Sequence, residues 1–88
     1  MENRIVISDE AESVLKEIVD NEKVSDYWKN RFENLSNRDD TILRGCFKEL
    51  RESGLIHVQW GDNYPYQIQI LKDGYLYEEK KEQERRLG

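Results

Sequence analysis

The signals that decide the fold lie in the stretch RDDTILRGCFKELRESGLIHVQWGDNYPYQIQIL, which runs from Arg38 to Leu71. Its first half carries apolar residues at the i, i+3, i+4, i+7 spacing of one helix face, namely Leu43, Cys46, Phe47 and Leu50. Asp39 or Asp40 can cap the first turn, where backbone N–H groups need acceptors. Gly54 stands where the end of a helix favours a left-handed residue. The pattern predicts a helix over residues 40–53.

After Gly54 the apolar period changes from helical to two. The inward positions of the two alternating runs are Ile56, Val58 and Trp60, then Tyr66, Ile68 and Ile70. Such alternation is typical of strands that are buried on one face. Residues 61–65, between the runs, contain Gly, Asp, Asn and Pro, which favour turns. The stretch therefore predicts a β-hairpin over residues 55–71.

Helical spacing also predicts a first helix over residues 9–20 and a second over residues 24–35. Ser8 or Asp9 can cap the first helix, and Asp9 with Glu12 has the spacing of a capping box. A β-branched run at residues 4–7 is a candidate third strand.

A C-terminal helix is predicted over residues 73–86, because strong helix formers follow a turn at Lys72, Asp73 and Gly74. Beyond Tyr77 no apolar stripe appears until Leu87, so we expect the last turns to gain nothing from packing on this domain.

Eighty-eight residues predict a single domain, residues 1–88, with one core. The formal net charge of −5 argues against a generic polyanion binder. The acidity is concentrated in residues 1–37, which hold nine acidic and five basic residues, whereas residues 38–60 hold four of each. No signal peptide or membrane-spanning segment is recognisable, and one cysteine excludes an intramolecular disulfide. We therefore expect a cytoplasmic protein with no membrane partner.

The sequence predicts no catalytic, metal-binding or cofactor-binding residue, and we do not expect an enzyme. It contains no HExxH, no glycine-rich phosphate loop and no paired cysteine motif. Cys46 lies on the apolar helix face with no base in prospect, and His57 is the only histidine.

The order helix, helix, turn, helix, strand, turn, strand, helix resembles the winged helix-turn-helix superfamily. The most specific part is LRGCFKELRESGLIHVQWGDNYPYQIQILKDGYLYEE, residues 43–79. It is similar to the wing and last helix of small bacterial and phage regulators of the MarR-like and PadR-like kind, where Thr-x-x-Gly opens the last helix. Here the equivalent residues are Leu71-Lys72-Asp73-Gly74. The resemblance implies an α+β winged helix with three helices, an antiparallel wing sheet of two or three strands, and a C-terminal helix.

The resemblance also places the third helix in the major groove of double-stranded DNA. At about 100° per residue, four residues share a sector of roughly 80° on its solvent side, namely Thr41, Arg44, Lys48 and Arg51. Their cations suit phosphates or guanine edges, and Arg38 is a further candidate for phosphate. Gly45 beside them would allow close backbone approach. In the wing, Asn63 and Tyr64 are candidate phosphate donors.

Two functional hypotheses follow from this reading. The first is a DNA-binding module of a bacterial or phage transcriptional regulator. The alternative is a protein-interaction or dimerisation module that does not bind DNA, such as the N-terminal domain of a larger protein. The wing favours the alternative because it has no cation and because Asp62 would repel phosphate.

Overall fold

The computed structural model describes residues 5–87. Its elements are α1 (Asp9–Asp20), α2 (Tyr27–Glu33), α3 (Asn37–Glu52), β1 (Ile56–Trp60), β2 (Pro65–Ile70) and α4 (Lys72–Leu87). Over this range the fold is α+β, with four helices and a two-stranded antiparallel sheet. The order is compatible with the predicted winged-helix layout. None of the helices in this range is long and apolar enough to cross a membrane.

Serine side chains cap α1 and α3. Ser8 Oγ accepts the N–H of Ala11 at 3.2 Å, so α1 has its predicted bounds without the Asp9–Glu12 capping box. Ser36 Oγ accepts the N–H of Asp39 at 3.1 Å, so α3 begins at Asn37. The predicted start at residue 40, with Asp39 or Asp40 as cap, was wrong because Ser36 satisfies the first amides.

The second helix is shorter than the predicted range of residues 24–35. Asp26 has a φ of 59°, and this left-handed conformation cannot lie inside a right-handed helix. Val24, at the start of the predicted range, is 53% exposed, whereas Leu35, at its end, packs against the core from outside the helix. Helical spacing was thus present in the sequence, but the backbone at Asp26 delays the start of α2.

The candidate N-terminal strand is not formed at residues 5–7, which have no regular secondary structure, and residue 4 lies outside the described residues. Ile7 is nevertheless buried and joins the core. The sheet of the described chain therefore has two strands and lacks the third that the sequence left open.

The hairpin pairs Ile56 with Ile70 and Val58 with Ile68. The register then shifts between Gln59 and Trp60, so Trp60 pairs with Pro65 and one residue of β2 is left over. Tyr66 occupies that position. It was predicted to point inward, but it is 59% exposed and its hydroxyl donates to Gln59 Oε1 at 2.7 Å. A bulge reverses the inside–outside alternation beyond it, which explains the error.

Phe47 lies at the centre of the core and is fully buried. The ring centroids of Trp28 and Trp60 lie 5.0 Å and 5.5 Å from it in edge-on geometry, and Phe32 is tilted at 6.2 Å. The aromatic cluster therefore joins α2, α3 and β1, and each such pair adds about 0.5–1.5 kcal/mol beyond the area that it buries.

Residues Lys72–Gly74 form the first turn of α4, not the separate turn that the sequence suggested. Leu71 N–H donates to the carbonyl oxygen of Leu55 at 3.0 Å, which brings this helix start against the chain between α3 and β1. A Cβ at Gly74 would lie 2.2 Å from that same oxygen. Only glycine allows the approach.

Polar contacts attach α4 to α1, contrary to the expectation that residues beyond Tyr77 gain nothing from packing. Glu12 accepts the Tyr77 hydroxyl at 3.1 Å and lies 3.6 Å from Lys81 Nζ. Burial, with the hydrogen bond to Glu12, raises the pKa of Tyr77 to about 12. Glu78 is only 7% exposed and accepts Arg85 at 2.8 Å. The apolar periodicity of the sequence could not show these contacts.

Gly74→Ala should destabilise the domain by about 3 kcal/mol, because the new methyl group overlaps a backbone oxygen that cannot move alone. Urea unfolding measures the change. Gly45→Ala is the matched control, since a Cβ there meets no described atom within 4 Å. Equal stability of the two variants would contradict the close approach.

Candidate nucleic-acid interface

The outward face of α3 exists because the opposite stripe of the helix is buried. Four residues of that stripe lie in the core, namely Leu43, Cys46, Phe47 and Leu50. At 3.6 residues per turn this leaves Arg38, Thr41, Gly45 and Lys48 facing away from the domain. All four are exposed, as is Arg51 nearer the hairpin. The face is the helix surface that the sequence predicted for DNA.

Arg44 is engaged within the domain. Its Nε donates to Asp40 Oδ2 at 2.8 Å, and its terminal nitrogen donates to the backbone oxygen of Asn63 at 3.0 Å. The guanidinium carbon lies 4.9 Å from the centroid of Trp60 and 5.5 Å from that of Phe32. Arg44, which the sequence predicted as a contact to a base or phosphate, therefore links α3, α2 and the wing.

The two predicted wing residues do not form a site with α3. Asn63 is exposed and meets Arg44 through its backbone oxygen. Tyr64 is half-buried, packs against the core and borders a groove between α2 and β2. Its carbonyl accepts the N–H of Gly61 at 2.8 Å, which closes the turn. The wing tip thus presents Asp62 and Asn63 to solvent.

Three predicted cations remain without an ion pair inside residues 5–87, namely Arg38, Lys48 and Arg51. Lys48 and Arg51 border a shallow groove of about 260 Å³ together with Val58 and Trp60 of β1. Thr41 Oγ1 donates to the carbonyl of Asn37 at 2.9 Å and stays exposed, so its oxygen can still accept a hydrogen bond.

Two of the four carboxylates on α3 already have partners. Asp40 pairs with Arg44. Glu49 accepts the backbone N–H of Ser8 at 2.5 Å and its hydroxyl at 2.8 Å, which connects α3 to the start of α1. The sequence does not indicate this contact, because the two residues are 41 positions apart and share no local motif. Asp40 and Arg44 neutralise each other, whereas Glu49 keeps its negative charge because Ser8 is neutral, so these contacts leave the balance of charge on α3 unchanged.

The structure gives no described residue an evident catalytic or metal-binding arrangement. Cys46 is buried, and burial raises the pKa of its thiol, with the negative charges of Glu49 and Glu10 adding to the effect. His57 is exposed on β1 opposite Gln69. Residues 5–87 contain no cluster of three or more His, Cys, Asp or Glu side chains that could hold a metal ion.

Comparisons of the chain with protein-family models, curated proteins and solved structures gave no match. The resemblance to winged-helix regulators therefore remains a prediction. The solvent side of α3 presents Thr41, Gly45 and three cations without a described ion pair, namely Arg38, Lys48 and Arg51. Arg44 connects the same helix to the wing.

Arg44→Ala should destabilise the domain by about 1–2 kcal/mol, because it removes two cation–π contacts and the hydrogen bond to the wing. Arg44→Lys should recover part of this loss, since an ammonium can lie over the rings but lacks the planar fork. Thermal unfolding measures stability, and hydrogen exchange of the amides of β1 and β2 reports the wing. Lys48→Ala, which loses no described contact, is the control. Equal melting temperatures for Arg44→Ala and Lys48→Ala would contradict the link.

Proposed function

We propose that this chain is a winged-helix DNA-binding module of a bacterial or phage transcriptional regulator, acting in the cytoplasm. The outward face of α3 enters the major groove, and the hairpin is the wing. One observation carries the proposal: Arg38, Lys48 and Arg51 lie exposed along one helix without carboxylate partners among the described residues.

The carboxylates on α3 limit the proposed attraction to phosphate. Asp40 is neutralised by Arg44, but Glu49 keeps its negative charge because its partner Ser8 is neutral. Exposed Asp39 and Glu52 remain on the helix, so the local field is modest. Since the wing turn contains no Lys or Arg, binding depends on the few cations of α3. Three phosphate contacts would give a salt slope of about −3.

Lys48→Ala combined with Arg51→Ala should weaken duplex binding roughly tenfold or more at low salt and make the salt slope shallower by about 2. Fluorescence anisotropy with a duplex selected from a random library measures both quantities. Two side chains beside the same groove are removed, and neither has a described structural contact, so the fold should be retained.

Lys72→Ala combined with Lys80→Ala is the matched control. It makes the same change in net charge on exposed residues of α4 and should leave the slope unchanged. The proposal fails if no duplex binds at low salt. It also fails if the two double variants weaken binding equally, since that would indicate net charge alone.

A protein-interaction module is the second candidate function, because exposed apolar side chains border a groove away from α3. Residues 5–7 and α4 border a groove of about 680 Å³. Val6 and Leu76 lie in it largely exposed, and Leu87 is exposed at the end of the same helix. The net charge of −5 also suits a partner other than DNA.

On this second reading, the chain should self-associate or retain a protein partner through the groove, and Leu76→Asp should abolish the association by placing a charge among apolar contacts. Light scattering over a range of concentrations measures self-association, and affinity capture from the source cell tests for a partner. A strict monomer that retains no partner would contradict it.

A further inference from the structure

Gly45 lies at an interior position of α3 where the fold does not require glycine. Its backbone is helical, and an added Cβ would meet no described atom within 4 Å. Glycine is among the poorest helix formers, so alanine would suit the isolated domain better. Gly74 differs, because a backbone oxygen lies where its Cβ would be. No described contact of the folded chain therefore favours glycine at residue 45.

Ile42 is three residues earlier, so it neighbours Gly45 on the helix surface. It is 46% exposed, although four other apolar residues of α3 are buried. The two positions are about 4.5 Å apart along the helix axis. This is little more than one base-pair step of about 3.4 Å. An apolar side chain thus stands directly beside an open stretch of backbone.

Charges of both signs surround this pair. Arg38 and Asp39 lie one turn before Ile42, and Lys48 and Glu49 lie one turn after Gly45. An apolar partner would have to desolvate all four. With α3 in the major groove as proposed, Arg38 and Lys48 can meet phosphates while Ile42 meets an apolar group on a base edge. The thymine methyl group is such a feature of the major groove.

We propose that Ile42, beside the open backbone at Gly45, contacts the C5-methyl group of thymine and gives α3 a preference for thymine at that position. This inference rests on the proposed DNA-binding function and adds the chemistry of the base that is read. Lys48 and Arg38 position the helix on phosphates, and Gly45 lets the neighbouring base edge approach. Ile42 then distinguishes thymine from bases that lack its methyl group.

The test uses the tightest duplex recovered from a random library, with each thymine replaced in turn by deoxyuridine, which lacks only the methyl group. For the unmodified protein, one or two replacements should weaken binding about three- to fivefold, the loss expected for one buried methyl group. Ile42→Ala should bring the thymine-to-uracil ratio at those positions close to one. Gly45→Ala should raise the melting temperature by about 4–8 °C and weaken binding.

Leu76→Ala is the matched control, since it truncates a similarly exposed apolar residue on α4 and should change neither affinity nor the ratio. A ratio near one at every thymine, or a ratio that Ile42→Ala leaves unchanged, overturns the inference. If duplexes bind with a salt slope that depends on Lys48 and Arg51 but without thymine sensitivity, only this inference fails. If no duplex binds at low salt, the proposed function fails with it.

Discussion

The Arg44 guanidinium joins three elements that are separate along the chain. It lies over the rings of Phe32 in α2 and Trp60 in β1, and it donates to the backbone of Asn63 in the wing. Because Asp40 on the same helix neutralises it, the cation can sit against the aromatic cluster without remaining an unpaired charge. We expect the position of the wing beside α3 to depend on this contact.

This arrangement divides the polar residues of α3 into two groups. Arg44, Asp40 and Glu49 hold the domain together, since they connect α3 to the wing and to the start of α1. Arg38 and Lys48 make no described ion pair and face solvent with Thr41, Ile42 and Gly45. Asp39 and Glu52 are also exposed on α3, so its solvent side carries charges of both signs. The turn at residues 61–65 contains no Lys or Arg.

Local signals predicted the helices and strands well, because helix caps, apolar periodicity and turn residues act over a few positions. α1 has its predicted bounds, and the hairpin and the glycine stop at Gly54, with a φ of 76°, lie where expected. The errors arose where the backbone conformation at one position interrupts the regular spacing of apolar residues. Asp26 delays α2, and the bulge turns Tyr66 outward. The spacing of apolar residues, from which the elements were predicted, contains no signal for either.

The candidate site was predicted as a helix face but not as a set of roles. Periodicity placed Arg44, Lys48 and Arg51 on one side of α3, and the structure places them together beside β1. Periodicity could not show that Arg44 is engaged within the domain, since its partners Phe32 and Asn63 lie 12 and 19 positions away.

The most direct measurement is an NMR titration of the isotope-labelled chain with a selected duplex at low salt. The amides of residues 38–51 should shift most, while those of α4 stay in place. Shifts confined to α4 and residues 5–7, or none at all, would contradict DNA binding through α3.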